Sequence, residues 1–288
     1  MSTAPPLFYQ DRQVAILTQH GKQELVRGPL EAALGCQLVH TDGYDTDQLG
    51  TFTRELTRAG SQLDAARKKA SIGMALTGAS VGMASEGSFG PDPFGAFMPW
   101  NTEVVLWVDR LSGIEVTGFA HGPAQSLHRI VKTPQELESF AKEAGFPEHH
   151  LVLRPEHPEH PDMDKGIRDH ATLLKAFHLA QAKSANGVVF AENDLRAFCN
   201  PTRQKMIRKA TEELIQKLLS ACPSCDSPGY WLSQQIPGLP CRACGSLTRL
   251  PKAEIWGCKK PKSGSYSAAT SWFCGNQGGR GLVIFATT

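Results

Sequence analysis

The sequence predicts an α/β protein in which a mixed central sheet is flanked by helices, followed by a small C-terminal zinc ribbon. Short apolar runs alternate with amphipathic stretches from residue 13 to about residue 220, an order typical of α/β domains. Two Cys-x-x-Cys pairs then follow closely. We therefore assign residues 1–220 to an α/β domain, residues 221–262 to the ribbon, and residues 263–288, rich in Gly and Ser, to a poorly ordered tail.

The composition is that of an ordinary folded protein. Hydrophobic residues make up 41% of the chain, charged residues 20%, and the formal net charge is +2, so charge alone does not indicate a nucleic-acid or membrane-surface protein. No apolar run approaches the roughly 20 residues that cross a bilayer, and the first ten residues lack the pattern of a secretory signal. We expect no membrane contact and a cytoplasmic location, where paired cysteines bind metal.

The first part of the domain has the pattern β-α-β-α-β. Gly35 and Gly78 are predicted to end the two helices. The last strand is expected to stop at Ala84 and to deliver the segment 85–90 as an acidic, glycine-rich turn. The predicted elements are a strand at 13–18, a helix at about 22–34, a strand at 37–41, a helix at 58–76 and a strand at 79–84.

The second part begins with a hairpin and continues as α-β-α-β-α. Thr133 and Pro134 form a helix start, and Asn200 followed by Pro201 forms another. The final helix carries apolar residues at helical spacing, from Ile207 to Leu218. The predicted elements are a hairpin of 103–108 with 114–120, a helix from 134, a strand at 149–153, a helix at 168–183, a strand at 187–191 and the helix after 201.

The cysteine spacing predicts a structural zinc site. Two Cys-x-x-Cys pairs separated by 15 residues are typical of a four-thiolate ribbon, whose filled shell leaves no position for substrate water. Redox dithiols or surface thiols are the alternative. Cys258 and Cys274 have no Cys-x-x-Cys neighbour, so we interpret them as unpaired thiols rather than a second site. The predicted zinc ligands are Cys222, Cys225, Cys241 and Cys244.

Three polar clusters stand at the ends of predicted strands, where open α/β sheets bind ligands. The first is a strand-to-helix turn in which a hydroxyl, free backbone N–H groups and Lys22 can hold a phosphate. An ordinary turn with a solvated lysine is the alternative. The candidate substrate-binding residues of this turn are Thr18, Gln19, His20 and Lys22.

The second cluster centres on Glu86, a candidate Mg²⁺ ligand or general base, which Glu55 assists. Its alternative is an acid held in a structural hydrogen bond. In the third cluster, Arg196 and Arg203 are candidate phosphate clamps, with Lys165 as a further cation. Helix capping explains part of that segment equally well.

The motifs Thr18–Lys22, Asp45–Phe52 and Ser85–Pro91, together with the cysteine pairs, resemble an uncharacterised bacterial family defined by a domain of unknown function. This resemblance covers almost the whole chain and implies no activity. In that family's pattern we would expect a further cysteine near Pro261.

At longer range, residues 13–217 are similar to the inosine/xanthosine triphosphate pyrophosphatases. The similarity lies in the order of four short motifs along the chain. Thr18 and Lys22 come first, and Thr51–Phe52 follows before a helix rich in Ala and Lys. Glu86–Gly87 then precedes a hairpin, and residues 187–196 form the last, strand-to-helix segment. Gln19 or His20 stands where those enzymes have asparagine. The similarity implies their fold and Mg²⁺-dependent hydrolysis of a nucleoside triphosphate to a monophosphate and pyrophosphate.

The leading hypothesis is therefore a magnesium-dependent nucleotide pyrophosphatase. Lys22, Arg196 and Lys165 would neutralise the triphosphate, and Glu86 with Glu55 would hold the ion. A second hypothesis is a non-catalytic nucleic-acid or protein-binding module that acts through the basic ribbon. In a third, the ribbon only closes the fold or a homodimer interface. The basic residues at that end of the chain are Arg242, Arg249, Lys252, Lys259, Lys260 and Lys262.

Overall fold

The computed structural model describes residues 7–46, 61–95 and 98–260, together with the backbone of 270–273 and 282–286. The predicted α/β class with a mixed sheet is confirmed. The described helices are α1 (Lys22–Leu34), α2 (Gln62–Thr77), α3 (Pro134–Glu143), α4 (His170–Lys183) and α5 (Pro201–Leu219), with a 3₁₀ turn at Ala197–Cys199.

The strands within the described chain fall into three sheets. They are β1 (Gln13–Leu17), β2 (Gln37–Thr41), β3 (Val81–Pro91), β4 (Pro99–Asp109), β5 (Ile114–Pro123), β6 (His128–Val131), β7 (Leu151–Pro155), β8 (Asp164–Ile167), β9 (Val189–Asn193), β10 (Trp231–Pro237), β11 (Pro251–Gly257), β12 (Thr270–Phe273) and β13 (Leu282–Ala286).

The first sheet is mixed and has the order β2-β1-β3-β4-β5. β1 is parallel to β2 and β3, whereas β3, β4 and β5 form antiparallel hairpins. α1 and α5 pack on one face, where Leu30 and Leu214 join Ile16 in the main core. α2 packs on the other face through Ala66 and Ala70. Because both faces are covered, β1 and the first residues of β3 are apolar on both sides, which explains their strong sequence signal.

The second sheet is a separate antiparallel unit with the order β6-β9-β7-β8, covered by α3 and α4. A single central sheet was the expectation for residues 1–220, and the structure departs from it after β5. β6 pairs with β9 rather than adding to β5, with Ile130 opposite Phe190. β6 and β8 have four residues each and stand at the edges of the sheet, so neither produces a clear alternating pattern.

β3 ends at Pro91, seven residues beyond the predicted end at Ala84. The segment 85–90, predicted to be a turn, lies inside β3 and pairs residue for residue with β4, Glu86 opposite Val104 and Gly87 opposite Glu103. The reason is the length of β4, which offers backbone partners along all of this segment. Glu86 therefore projects from a strand rather than from a glycine turn.

Several predicted helix ends are confirmed. Gly35 and Gly78 adopt the left-handed conformation that ends α1 and α2. Thr133 and Asn200 accept hydrogen bonds from the first turns of α3 and α5. None of the described helices combines the length and apolarity needed to cross a bilayer.

The third sheet, with the order β10-β11-β13-β12, lies at the C-terminal end of the chain. β10 and β11 form an antiparallel hairpin, and Trp231 pairs with Gly257. β12 and β13 fall within residues 263–288, which we predicted to be a poorly ordered tail. β13 runs parallel to β11, with Ala253 opposite Leu282.

Candidate functional site

Lys22 is the first residue of α1, and its side chain points inward. It is only 6% exposed, and its Nζ donates a hydrogen bond to the carbonyl oxygen of Ser85 in β3. β1 and β3 are neighbours, so the helix that follows β1 starts beside the continuation of β3. Burial, followed by the nearby Arg203 guanidinium, lowers the pKa of Lys22 to about 7. The carboxylates of Glu86 and Glu103 act in the opposite direction.

Glu86, 1% exposed, is paired with a lysine from the opposite helix. Lys69 of α2 places its Nζ 2.5 Å from the Glu86 Oε1. Lys69 was not among the predicted site residues. The sequence signal for it was weak, since it belongs to an Arg-Lys-Lys run that also fits a solvated helix face.

Glu103 and Arg203 form a second buried pair. The Arg203 Nε lies 2.7 Å from the Glu103 Oε1, and both side chains are fully buried. Arg203 also donates through Nη1 to the carbonyl oxygen of Leu195 at 2.6 Å. Gly87, opposite Glu103 in the ladder, leaves room for this pair, because a Cβ there would overlap the Glu103 carboxylate and crowd the Arg203 guanidinium. Arg203 therefore holds the site together rather than facing solvent.

These side chains form one buried group, which we call the charge cluster. Each of the other four members influences the pKa of Lys22, so all of them lie within electrostatic reach of its amine. The cluster contains two carboxylates and three basic groups. When Lys22 is protonated, cations outnumber anions, and such a group favours the entry of an additional anion. The members are Lys22, Lys69, Glu86, Glu103 and Arg203.

The other residues of the first predicted cluster mainly form hydrogen bonds that stabilise their own loop. The Gln19 Oε1 accepts hydrogen bonds from the backbone N–H and the hydroxyl of Thr46, each at 3.0 Å. The ring of His40 lies 2.8 Å from the Thr18 carbonyl oxygen, and the His20 N–H donates to the Thr18 hydroxyl at 3.3 Å. For Thr18 and Gln19, these contacts match the structural alternative better than direct phosphate binding.

Arg196 lies beside this turn. Its guanidinium binds Asp194, with Nη2 2.6 Å from Oδ2, and lies 4.8 Å from the centre of the Phe198 ring. The Phe198 ring in turn lies 6.0 Å from the ring of His20. The backbone N–H of Gly166 donates to the same Asp194 carboxylate at 3.1 Å, which brings the neighbouring, exposed Lys165 to this edge.

The structure thus brings most of the predicted substrate-site residues to one end of the first sheet. Lys22, Glu86 and Arg203 belong to the charge cluster, and Arg203 reaches the Leu195 carbonyl next to Arg196. Glu55 lies outside the described residues. Glu103 and Lys69 were missed, because their partners come from distant parts of the chain.

Three cysteines form a second cluster at the start of the C-terminal hairpin. The sulphur atoms of Cys222, Cys225 and Cys258 all lie within 4.8 Å of one another, and those of Cys225 and Cys258 are 3.7 Å apart. Within the part of the chain that the structure describes, this is the group of His, Cys, Asp and Glu side chains close enough to share an ion. Such a set of thiols can hold a metal ion and is compatible with zinc.

This grouping differs from the predicted zinc ligands. Cys241 and Cys244 lie at the far end of the β10–β11 hairpin, and the seven residues of β10 span about 20 Å. The two Cys-x-x-Cys pairs therefore face different ends of the hairpin. Cys258, which we interpreted as an unpaired thiol, joins the first pair because β11 returns the chain to the start of β10. Cys274 lies outside the described residues.

Comparison with known proteins identifies a family for this chain but does not indicate an activity. No curated protein matches the chain. A family model described as a domain of unknown function (DUF6671) matches residues 69–267. The matched region includes Glu86, Glu103 and Arg203 of the charge cluster and all three clustered cysteines. It covers more than half of the chain, which therefore belongs to the DUF6671 family of domains of unknown function.

Proposed function

We propose that this protein hydrolyses a nucleoside triphosphate to a monophosphate and pyrophosphate at the charge cluster. One observation carries the proposal. Lys22, whose pKa is about 7, lies near the ion-paired carboxylate of Glu86 at the end of β1. Ligands of open α/β sheets bind beyond the carboxyl ends of such strands. The order of the chain's sequence motifs, which resembles that of the inosine/xanthosine triphosphate pyrophosphatases, suggested the same reaction.

The phosphates would bind at the start of α1. The residue before this helix is Gly21, which has no side chain to cap the first turn, so backbone N–H groups there are suited to an anion. Lys22 would be protonated as the phosphates arrive, and Arg196 and Lys165 would add positive charge from the neighbouring edge. Lys22 is 6% exposed and Glu86 1%, so substrate binding requires the surrounding side chains to rearrange.

Glu86 would accept the proton of the water that attacks the α-phosphorus. The new phosphorus–oxygen bond forms as the bond to the pyrophosphate oxygen breaks, and pyrophosphate leaves. Arg203 fixes Glu103 next to this position and acts as a positioning residue. In the structure Lys69 neutralises Glu86, which favours a magnesium ion that arrives with the phosphates over one that the protein holds beforehand. When bound, magnesium would neutralise charge on the phosphates.

The test is the release of pyrophosphate from a panel of nucleoside triphosphates with Mg²⁺. We expect Glu86→Gln to lower kcat by about 100-fold or more, because the water loses its proton acceptor. The matched control is Glu115→Gln, since Glu115 pairs with Arg67 on the protein surface. If no nucleotide releases pyrophosphate, or if Glu86→Gln is as active as the parent, the proposal fails.

A second candidate function is binding through the ribbon. The tip of the β10–β11 hairpin exposes Arg242, Arg249 and Lys252 beside Leu247, which is 74% exposed, and residues 241–252 include no acidic side chain. Such a surface suits a polyanion or an acidic protein segment. In the full chain, RNA or DNA binding that weakens with salt and is lost when these three cations are replaced by Glu would favour this function. Binding unaffected by the replacements would exclude it.

A further inference from the structure

We infer that Cys222, Cys225 and Cys258 bind one zinc ion in a site of their own, and that this ion fastens the C-terminal hairpin to the end of α5. The first support is the spacing of the sulphur atoms. With zinc–sulphur bonds of about 2.3 Å, two ligands of a tetrahedral ion lie about 3.8 Å apart. The sulphurs of Cys225 and Cys258 are separated by 3.7 Å, and Cys222 lies within the same group.

The second support is the backbone of the first knuckle, residues 222–227. The N–H of Asp226 donates to the Cys222 carbonyl at 2.8 Å, and the N–H of Cys222 donates to the Ser227 carbonyl at 2.9 Å. Asp226 takes a positive φ of 54°, which completes the tight turn. This turn directs the two sulphurs of the pair towards the same point.

Hydrogen-bond donors also face the sulphurs. The Cys225 thiol donates to the Ser227 hydroxyl oxygen at 3.4 Å, and this hydroxyl can donate in turn once the thiol loses its proton. The backbone N–H of Lys260 donates to the Cys258 sulphur at 3.4 Å. Donors of this kind stabilise thiolates, the form in which cysteine binds metal. The described residues thus supply three thiolate ligands, and a tetrahedral zinc ion accepts one more ligand.

The second knuckle, residues 241–246, has the same turn at the other end of the hairpin. There the Cys241 N–H donates to the Ser246 carbonyl, and the Gly245 N–H donates to the Cys241 carbonyl, both at 2.8 Å. The length of β10 separates Cys241 and Cys244 from the first knuckle. A change in the second pair should therefore leave the first site intact, which provides a matched control.

The position of the first site explains how its ion would cross-link the hairpin to α5. Cys222 comes three residues after the end of α5, and Cys258 directly follows β11, so one ion links the helix to the second strand of the hairpin. Between them, the Gly229 N–H donates to the Lys217 carbonyl at 3.1 Å, and the Tyr230 N–H donates to the Ser220 carbonyl at 3.0 Å. These contacts hold only the first strand, β10; the ion would add β11.

The test uses the full chain, purified without chelators, and compares Cys258→Ser with Cys241→Ser. We expect Cys258→Ser to lose one equivalent of zinc per chain that Cys241→Ser retains. With Co²⁺ in place of zinc, the parent and Cys241→Ser should show the thiolate charge-transfer band of this site, and Cys258→Ser should lose it. Zinc retained by Cys258→Ser but lost by Cys241→Ser would overturn the assignment and favour the four-thiolate ribbon. A parent that binds neither metal would also overturn it.

The fastening role has its own readout. Chelation of the parent, or Cys258→Ser, should speed limited proteolysis between residues 228 and 257, while the α/β part of the chain remains resistant. Circular dichroism before digestion separates this effect from general unfolding. A digestion rate unchanged by chelation would refute the fastening role. None of these measurements depends on nucleotide hydrolysis.

Discussion

Because Lys22 is buried, the unfolding free energy of the chain should depend on pH. Burial lowers its pKa to about 7, whereas an unfolded lysine titrates near 10.4. Between these values the unfolded state binds more protons, so the stability of the parent rises with pH across this interval. Below pH 7 the side chain is charged in both states, and its burial is most unfavourable.

Lys22→Met removes this titration. We expect the variant to exceed the parent in unfolding free energy most clearly at pH 6.5, and the difference to shrink by a few kcal/mol at pH 9.5, on the order of 1.4 kcal/mol for each pH unit. Urea denaturation at both pH values measures it. Lys68→Met, on the exposed face of α2, controls for the loss of a lysine charge. A difference that stays constant with pH would contradict the burial of a charged Lys22.

The individual site residues show what a sequence can and cannot reveal. Lys22 and Glu86 could be proposed as candidates because each follows an apolar run of the sequence, although Glu86 lies inside β3 and not after it. Lys69 and Glu103 could not, since their importance depends on a helix–strand contact and on a partner 100 residues away. The same limit applies to Cys258, whose neighbours are fixed by hairpin register rather than by sequence spacing.

At the level of elements, the packing of α5 on β5 depends on Gly118. A Cβ at this position would overlap the backbone of α5 at the Ala210 carbonyl and come within 2.7 Å of the Leu214 nitrogen. Backbone atoms of a helix cannot rotate away, so Gly118→Ala must push α5 outward. We expect a loss of about 2–3 kcal/mol in unfolding free energy, measured by urea denaturation.

Gly122→Ala is the matched control in the same strand. There the added methyl group would meet only the side chain of Met206, whose terminal methyl lies 2.8 Å away and can rotate. We expect a loss below about 1 kcal/mol. Equal losses for the two variants would mean that α5 does not lie as close to β5 as described.

Elements with strong local signals were predictable, and those defined by pairing were not. α1, α2 and α5 combine apolar periodicity with a recognisable first or last residue, and their ends were found within a few residues. β3 was predicted too short because glycines at 87 and 90 are typical of turns, and only the length of β4 keeps this segment extended.

The arrangement of the whole molecule was the least accessible from the sequence. The alternation of strands and helices fits either one sheet or two, since the choice depends on whether β6 adds to β5 or pairs with β9. Apolar periodicity gives the buried face of each strand and no information about its neighbour. The two sheets meet where Arg203, at the start of α5, binds Glu103 of the first sheet and the carbonyl that follows β9 of the second.

The contributions of Glu103 and Arg203 to the free energy of unfolding should therefore be strongly coupled. Arg203→Met leaves the Glu103 carboxylate buried without its guanidinium partner, which costs about 3–5 kcal/mol in unfolding free energy. The double variant Glu103→Gln/Arg203→Met removes both charges, so its loss should fall below the sum of the single losses by on the order of 2 kcal/mol. Urea unfolding of the four proteins gives the coupling energy. The exposed pair Arg129–Glu143, changed in the same way to Met and Gln, should show a much weaker coupling, because water screens its charges. A coupling between Glu103 and Arg203 no larger than that of the exposed pair would show that their interaction does not hold the two sheets together.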